Sequence, residues 1–507
     1  MPPGDFLCFS PDGAYNKRAP FYGVRWRMTM TLKRIGITIA VFALLLYFWN
    51  MIFHQVKPVP DGVHTAGDVR MIAEEDVTFL RDLTYQEDGE RVLDHELFDE
   101  MYDVIREAEE FLVIDMFMIN DFSSEGEDYP PLSREFTDVI LERMEERPEL
   151  DVHFISDPVN TTYFSHEAEQ LERLREAGAE ITFTDLTLLR DPNPLYSSFW
   201  RFALEPFGQE GTGWLPNAFG PESPDVTIRS YLKLANIKAN HRKTVTSEKA
   251  SVISSANPHD ASGWNSNAGV RVEGPLIQDI LETEKAAAAF SGADTSQFPA
   301  WSGEEDGRDR PIQAQVVTER YIETAALKTM EAMEEGDELW IGMFYLSDRH
   351  IIEKIEETAD RGVDVKLILD PNQNAFGQDK IGLPNIPVAA ELLERGDDRI
   401  QVRWYNTEEE QYHTKMMAAD RGDTVNVLIG SSNFTARNLD NYNLETNISF
   451  TSPPDTAFAE DVLQYMEETW NNDGQEYTTD YDTHAEAIAP GKYFLYLLQK
   501  ALGFTTY

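Results

Sequence analysis

Ile114–Asp121 reads IDMFMIND, and Ile341–Asp348 reads IGMFYLSD. This internal duplication limits the fold more than any other feature of the chain. Each phrase follows an acidic segment of helical character, Leu97–Glu110 and Tyr321–Glu335. Each is followed by a second helical segment and then a second apolar strand, VHFISDP (Val152–Pro158) and VKLILDP (Val365–Pro371). The order helix, strand, helix, strand, hairpin therefore occurs twice. Strands alternating with helices predict a layered α/β fold, and 507 residues suffice for two such cores. The Gly- and acid-rich stretch Ser302–Pro311 is the expected joint between repeats at 89–301 and 312–480.

The repeats differ in length at one place. The path from Asp157 to His241 is about twice as long as that from Asp370 to His413. The first repeat therefore carries an insertion, roughly Leu186–Leu232. It is rich in aromatics (Tyr196, Phe199, Trp200, Phe202, Phe207, Trp214, Phe219) and contains Arg190, Arg201 and Arg229. Two readings stand: a lid or lipid-facing wall over a site, or a subdomain burying its own aromatics.

Near the end of each repeat comes a His-x-Lys phrase, NHRK (His241, Lys243) and YHTK (His413, Lys415). The flanks read as β-hairpins turning at Glu248-Lys249 and at Arg421-Gly422-Asp423. Residues two apart on a strand share a face, so each His and Lys should aim at one point. After each hairpin comes Ser-x-Asn: Ser255-Ala256-Asn257 and Ser431-Ser432-Asn433. An imidazole, an ammonium and an amide, each supplied twice, suit a phosphodiester. Lys and Asn can donate to non-bridging oxygens. One His can attack phosphorus, and the other can protonate the leaving alkoxide and then activate an acceptor. No cofactor or metal is expected, since the chain has one cysteine, Cys8, and no His cluster of metal-site spacing.

These motifs resemble the phospholipase D superfamily, whose signature is His-x-Lys-x4-Asp followed by Gly-Ser-x-Asn. The second copy fits through His413, Lys415, Asp420 and Gly430-Ser431-Ser432-Asn433; the first has Glu248 for Asp and Ser254 for Gly. The resemblance spans roughly residues 90–475. It implies two tandem repeats, each a sheet flanked by helices, related by a pseudo-twofold with one site at their interface. It further implies a phosphohistidine intermediate, with His241 as nucleophile and His413 as acid/base. Lys243, Lys415, Asn257 and Asn433 would hold the substrate phosphate. Glu248, Asp420, Glu445, Ser255 and Ser431 would support them. Glu445 fits the carboxylate that orients a histidine in the family; the matching place in the first repeat is Asn267.

Ile35–Phe53 is an uncharged apolar run long enough to cross a bilayer as a helix. Basic residues crowd the 1–34 side, which predicts a cytoplasmic N-terminus and an extracytoplasmic catalytic domain in the cell membrane. The following HQVKPVPDGV lacks a small-x-small cleavage site, so a retained anchor is expected over a cleaved signal. A linker is expected at 54–88. The apolar segment 490–507 reads as a terminal helix, packed on the core or lying in a membrane interface. A formal charge of −47 argues against a nucleic-acid partner. The expected substrate is a phospholipid, with hydrolysis or phosphatidyl transfer of phospholipase D or cardiolipin-synthase type. A nuclease and a non-catalytic lipid-binding scaffold are the alternatives.

Overall fold

The computed structural model describes residues 22–485, apart from 88–89, 124–128, 210, 221–222, 304–306 and 376–377, together with Phe494, Tyr496 and Leu498. The rest of the segment 490–507 and of the basic segment 1–34, up to residue 21, lies outside the described residues.

Two mixed sheets share one topology. The first runs Glu90–His95, Val77–Glu87, Asn267–Glu273, Ala250–Ser254, Lys243–Ser247, Phe111–Met116, Asp151–Ser156, Glu180–Phe183. The second runs Arg70–Ile72, Ile312–Thr318, Thr446–Ser452, Val425–Gly430, Lys415–Asp420, Glu338–Met343, Asp364–Leu369, Ile400–Tyr405, Thr478–Asp480. From Val77–Glu87 and from Ile312–Thr318 onward, seven strands correspond one to one. The central strands, Phe111–Met116 and Glu338–Met343, are apolar runs buried almost throughout, because helices cover parallel strands on both faces. Helix Glu96–Glu107 presents Leu97, Phe98, Met101, Val104 and Ile105 to this core at helical spacing.

The repeats interlock. Helix Leu276–Phe290 of the first contacts strand Ile312–Thr318 of the second, and helix Ala457–Asn471 of the second contacts strand Val77–Glu87 of the first. One apolar core accordingly contains Phe79, Ile253 and Val270 together with Ile429, Ile448 and Phe458. The halves form one body, and their shared surface is where a joint site can sit.

Two expectations need correction. The segment 54–88 is not a free linker. Val77–Glu87 pairs with Asn267–Glu273 inside the first sheet, and Arg70–Ile72 pairs with Ile312–Thr318 of the second. Alternating apolar residues in VTFLRDL supply the buried face that draws this segment in. The N-terminal helix is also longer than the apolar run, spanning Tyr22–Val56. Its Leu32–Val56 portion contains an 18-residue window of mean hydropathy 2.1 and is long and apolar enough to cross a membrane.

Candidate active site

Each strand of the His-x-Lys phrases begins at the lysine, and the histidine lies just before it. What fixes the histidine backbones is contact between repeats. His241 N–H donates to Leu444 O at 2.9 Å, and His413 N–H donates to Ser266 O at 2.8 Å. The residue before each histidine is tied to its own repeat. Asn240 N–H donates to Asp157 Oδ2, and Tyr412 N–H to Asp370 Oδ2, both at 2.7 Å. These aspartates directly follow the strands Asp151–Ser156 and Asp364–Leu369. Burial raises both carboxyls to about 7.

The side chains also cross the interface. His241 Nδ1 lies 3.0 Å from Glu445 Oε2, and His413 Nδ1 lies 3.2 Å from Asn267 Oδ1. Ser431 Oγ donates to Glu445 Oε2 at 2.6 Å, and Ser255 Oγ donates to Asn267 Oδ1 at 3.0 Å. Asn438 donates to the other oxygen of Glu445. The Asn267 amide nitrogen donates to Asn265 O at 3.0 Å, which fixes its carbonyl toward His413. Each imidazole thus has Nδ1 as donor to an acceptor from the opposite repeat, leaving Nε2 with its lone pair. Neither histidine has its orienting partner without the other repeat.

The lysines close the ring. Lys243 Nζ donates to His241 O at 2.5 Å, and Lys415 Nζ donates to His413 O at 2.6 Å. They sit 5.2 Å above the Phe117 ring and 5.4 Å above the Phe344 ring, which also flank the two imidazoles. Burial, with the opposing pull of Glu445, brings Lys243 down to about 7; burial and the neighbouring Lys243 push Lys415 well below its usual range. Burial and the two ammonium groups likewise push both histidines well below 6.5. Burial raises Glu445 to about 7 against the charges of Lys243 and Lys415. A bound anion would relieve this excess of buried cations. Asn257 and Asn433 are buried two residues beyond the serines. Asn433 Oδ1 accepts from Tyr345 N–H at 3.3 Å, while Asn257 Oδ1 is buried with no partner among the described residues.

Glu248 and Asp420 do not join the site. They lie at the far ends of the hairpin strands, because five residues of extended chain separate them from the lysines. Glu248 accepts from the N–H groups of Glu109 and Glu110, and Asp420 from Gly422 N–H. Both act in turns. Asp157, Asp370, Phe117 and Phe344 were missed as site residues, although all four occupy matching places in the duplicated phrases. Arg242 was missed too. It is fully buried, 3.4 Å from Glu284 and 3.2 Å from Glu319, and Glu319 accepts from Glu445 N–H.

Two sheets of one topology, meeting at paired His-Lys phrases, define a duplicated phospholipase D-type fold. Residues 330–470 match the family model described as cardiolipin synthase, PLD-like domain. Among solved structures, the chain is similar to phosphatidylserine synthase of Haemophilus influenzae Rd KW20, with TM-score 0.54 and 11% identity, covering 87% of this chain and 97% of that one. Similarity to polyphosphate kinase of Porphyromonas gingivalis has TM-score 0.43 and 12% identity over 85% of this chain and 51% of that one. Similarity to Nuc, a phospholipase D family member of Salmonella typhimurium, has TM-score 0.27 and 20% identity over 33% of this chain and 99% of that one. No curated protein matches the chain.

Proposed function

We propose that this protein is a membrane-anchored enzyme that cleaves or transfers phosphodiesters of phospholipids through a phosphohistidine. The observation that carries the reading is the exchange of orienting groups, Glu445 on His241 and Asn267 on His413, across the repeat interface. The match of the second repeat to a cardiolipin synthase domain supports a lipid substrate, as does a fold neighbour named as a phosphatidylserine synthase.

His241 is the better nucleophile. A carboxylate on Nδ1 makes Nε2 more basic and stabilises the cation formed on phosphorylation. Its Nε2 attacks phosphorus, a P–N bond forms, and the P–O bond to the headgroup alcohol breaks. His413, protonated in the substrate complex, gives its proton to that leaving oxygen. Neutral His413 then takes a proton from water or an alcohol, whose oxygen attacks phosphorus, and the P–N bond breaks. Lys243, Lys415, Asn257 and Asn433 hold the non-bridging oxygens during both steps. Water as acceptor gives hydrolysis, and a lipid alcohol gives phosphatidyl transfer. The N-terminal helix anchors the enzyme, and the basic residues before it favour a cytoplasmic N-terminus with the site outside.

The test uses full-length protein in vesicles of labelled phosphatidylglycerol or phosphatidylcholine, with plasmid DNA offered in parallel. Headgroup release or diphosphatidylglycerol formation, lost in both His241→Ala and His413→Ala, is expected. A phosphate label stable to base should be trapped on the wild type and be missing from His241→Ala. DNA cleavage without lipid turnover, or full activity in either variant, overturns the reading.

A further inference from the structure

The insertion carries a helix whose outer face is apolar. In Pro194–Ala203, Ser197, Ser198 and Trp200 are buried and Arg201 is half-buried, while Leu195, Phe199 and Phe202 are 51%, 50% and 60% exposed. Phe207 and Trp214 beyond it are exposed to 74% and 66%. A soluble domain rarely presents so many large apolar side chains from one segment without a partner.

Its position names the partner. The helix packs along the N-terminal helix Tyr22–Val56, and Tyr47 Oη donates to Leu195 O at 2.6 Å. Half-buried Ala43, Tyr47, Asn50, Met51 and His54 form a stripe at helical spacing along the N-terminal helix. Tyr47 lies about 14 Å down that helix from Val56 at ~1.5 Å per residue. A 25-residue span is about 37 Å long, against a hydrocarbon layer of ~30 Å. Tyr47 therefore falls below the membrane surface if the helix crosses it, and the insertion helix beside Tyr47 is carried to the same depth. Hydrogen bonds tie the junction together. Asp191 N–H donates to His54 O at 3.1 Å, Arg190 Nε to Lys57 O at 2.9 Å, and Lys57 Nζ to Thr187 O at 3.0 Å. On the protein side, Asp191 lies 2.5 Å from Lys238 and 3.0 Å from Arg201. Lys238 precedes Asn240-His241 by only two residues.

We infer that the insertion is a second membrane element, a wedge whose Leu195, Phe199, Phe202 and Phe207 sit in the boundary between headgroups and acyl chains beside the spanning helix. The wedge rests on the anchor reading and fixes the His241 side of the site at the bilayer surface. A lipid phosphodiester then needs little movement out of the membrane to reach the histidines.

Full-length chain with Cys8→Ser is reconstituted in phosphatidylglycerol vesicles, carrying a nitroxide on Phe199→Cys, Phe202→Cys or Phe207→Cys. Leu44→Cys reports the span, and Glu357→Cys reports the aqueous surface. Expected is an oxygen-to-nickel accessibility ratio at 199, 202 and 207 several-fold above that at 357 and approaching that at 44. A ratio like 357 at all three, with 44 in lipid, overturns the wedge and leaves the anchor intact; a water-exposed 44 overturns both. Hydroxyl-radical footprinting of the unsubstituted chain guards against misfolded variants. Protection of Phe199, Phe202, Phe207 and Trp214, but not of exposed Tyr321, is expected in vesicles, and equal oxidation of all five overturns the proposal. Neither readout requires turnover.

Discussion

The two halves of the site reach one geometry with different residues. Around His413, Tyr412 stacks on Tyr405 with ring centroids 4.4 Å apart, and Tyr412 and Thr414 meet Tyr465 through their hydroxyls at 3.2 and 3.4 Å. Around His241, Asn240 donates to Asp115 at 2.7 Å, and Arg242 pairs with Glu284 and Glu319. The glycine has even changed strands. In the second repeat Gly430 faces Asn447, whose Oδ1 accepts from Ser432 N–H at 3.1 Å. In the first, Ser254 faces Gly269, and Ser254 Oγ accepts from Ala256 N–H at 3.1 Å. A Cβ on Gly430 would lie 2.3 Å from Thr446 O; one on Gly269 would lie 2.7 Å from Ser254 Cβ. Each pair carries one side chain, on opposite strands in the two repeats. The Ser254 that departs from the motif is therefore compensated, and the backbone hydrogen bond it must make is retained.

The comparison breaks hardest at the residue between His and Lys. Arg242→Leu leaves Glu284 and Glu319 buried without their cation, which should cost about 3–5 kcal/mol. Thr414→Val, at the matching place, loses one long hydrogen bond and should cost about 1 kcal/mol or less. Urea unfolding of both variants checks the contrast, and equal losses would mean that the ionic cluster is not what holds the first half.

The orienting groups give the next largest contrast. Glu445→Gln removes the charge behind His241 and should lower kcat roughly 10²–10⁴-fold, the range of a general acid–base contribution. It should also shift the pH profile, since the partner's charge sets the imidazole's basicity. Asn267→Ala should cost about tenfold or less and leave the shape of the profile unchanged, because a neutral partner only positions the ring. A larger loss in Asn267→Ala would transfer the nucleophile's role to His413.

The repeat was legible because strand order and apolar phrases survive the divergence of individual residues. The hairpin turns at Glu248-Lys249 and Arg421–Asp423 were legible through their own turn chemistry. Contacts between repeats were not. Nothing local to NYNLETNIS tells that Glu445 serves His241 of the other half, since that pairing depends on how two sheets face each other. The strand Val77–Glu87 escaped for the same reason: its partner, Asn267–Glu273, is far away in sequence. Arg242 was passed over because a charged residue on a strand usually faces solvent, and its counter-charges come from two distant segments.

The glycine exchange predicts a coupling. Gly269→Asn alone forces a side chain against Ile253 O, Leu97 Cδ2 and Ser254 Cβ, each 2.7 Å from the new Cβ, and should cost about 1–3 kcal/mol. Combined with Ser254→Gly, it recreates the Gly–Asn pair of the second repeat. A double-mutant cycle on thermal unfolding should return a favourable coupling of about 0.5 kcal/mol or more. Strict additivity would show that the two strands do not exchange the glycine.

The smallest effect tests where the repeats should agree. Asp157 and Asp370 are acids whose folded-state values are raised to about 7 by burial, above the unfolded value near ~3.9. The folded state therefore binds their protons more tightly than the unfolded chain does. The stability each contributes is complete below the unfolded value and is lost as pH rises through about 7. An asparagine keeps one acceptor and cannot titrate. The destabilisation caused by Asp370→Asn should then shrink between pH 4 and pH 8 by on the order of 1 kcal/mol, and that caused by Asp157→Asn should shrink alike. Urea titrations of wild type and both variants at several pH values would measure this. A gap that shrinks for one aspartate and not the other would mean that the backbone anchors before His241 and His413 are not equivalent, although their hydrogen bonds match.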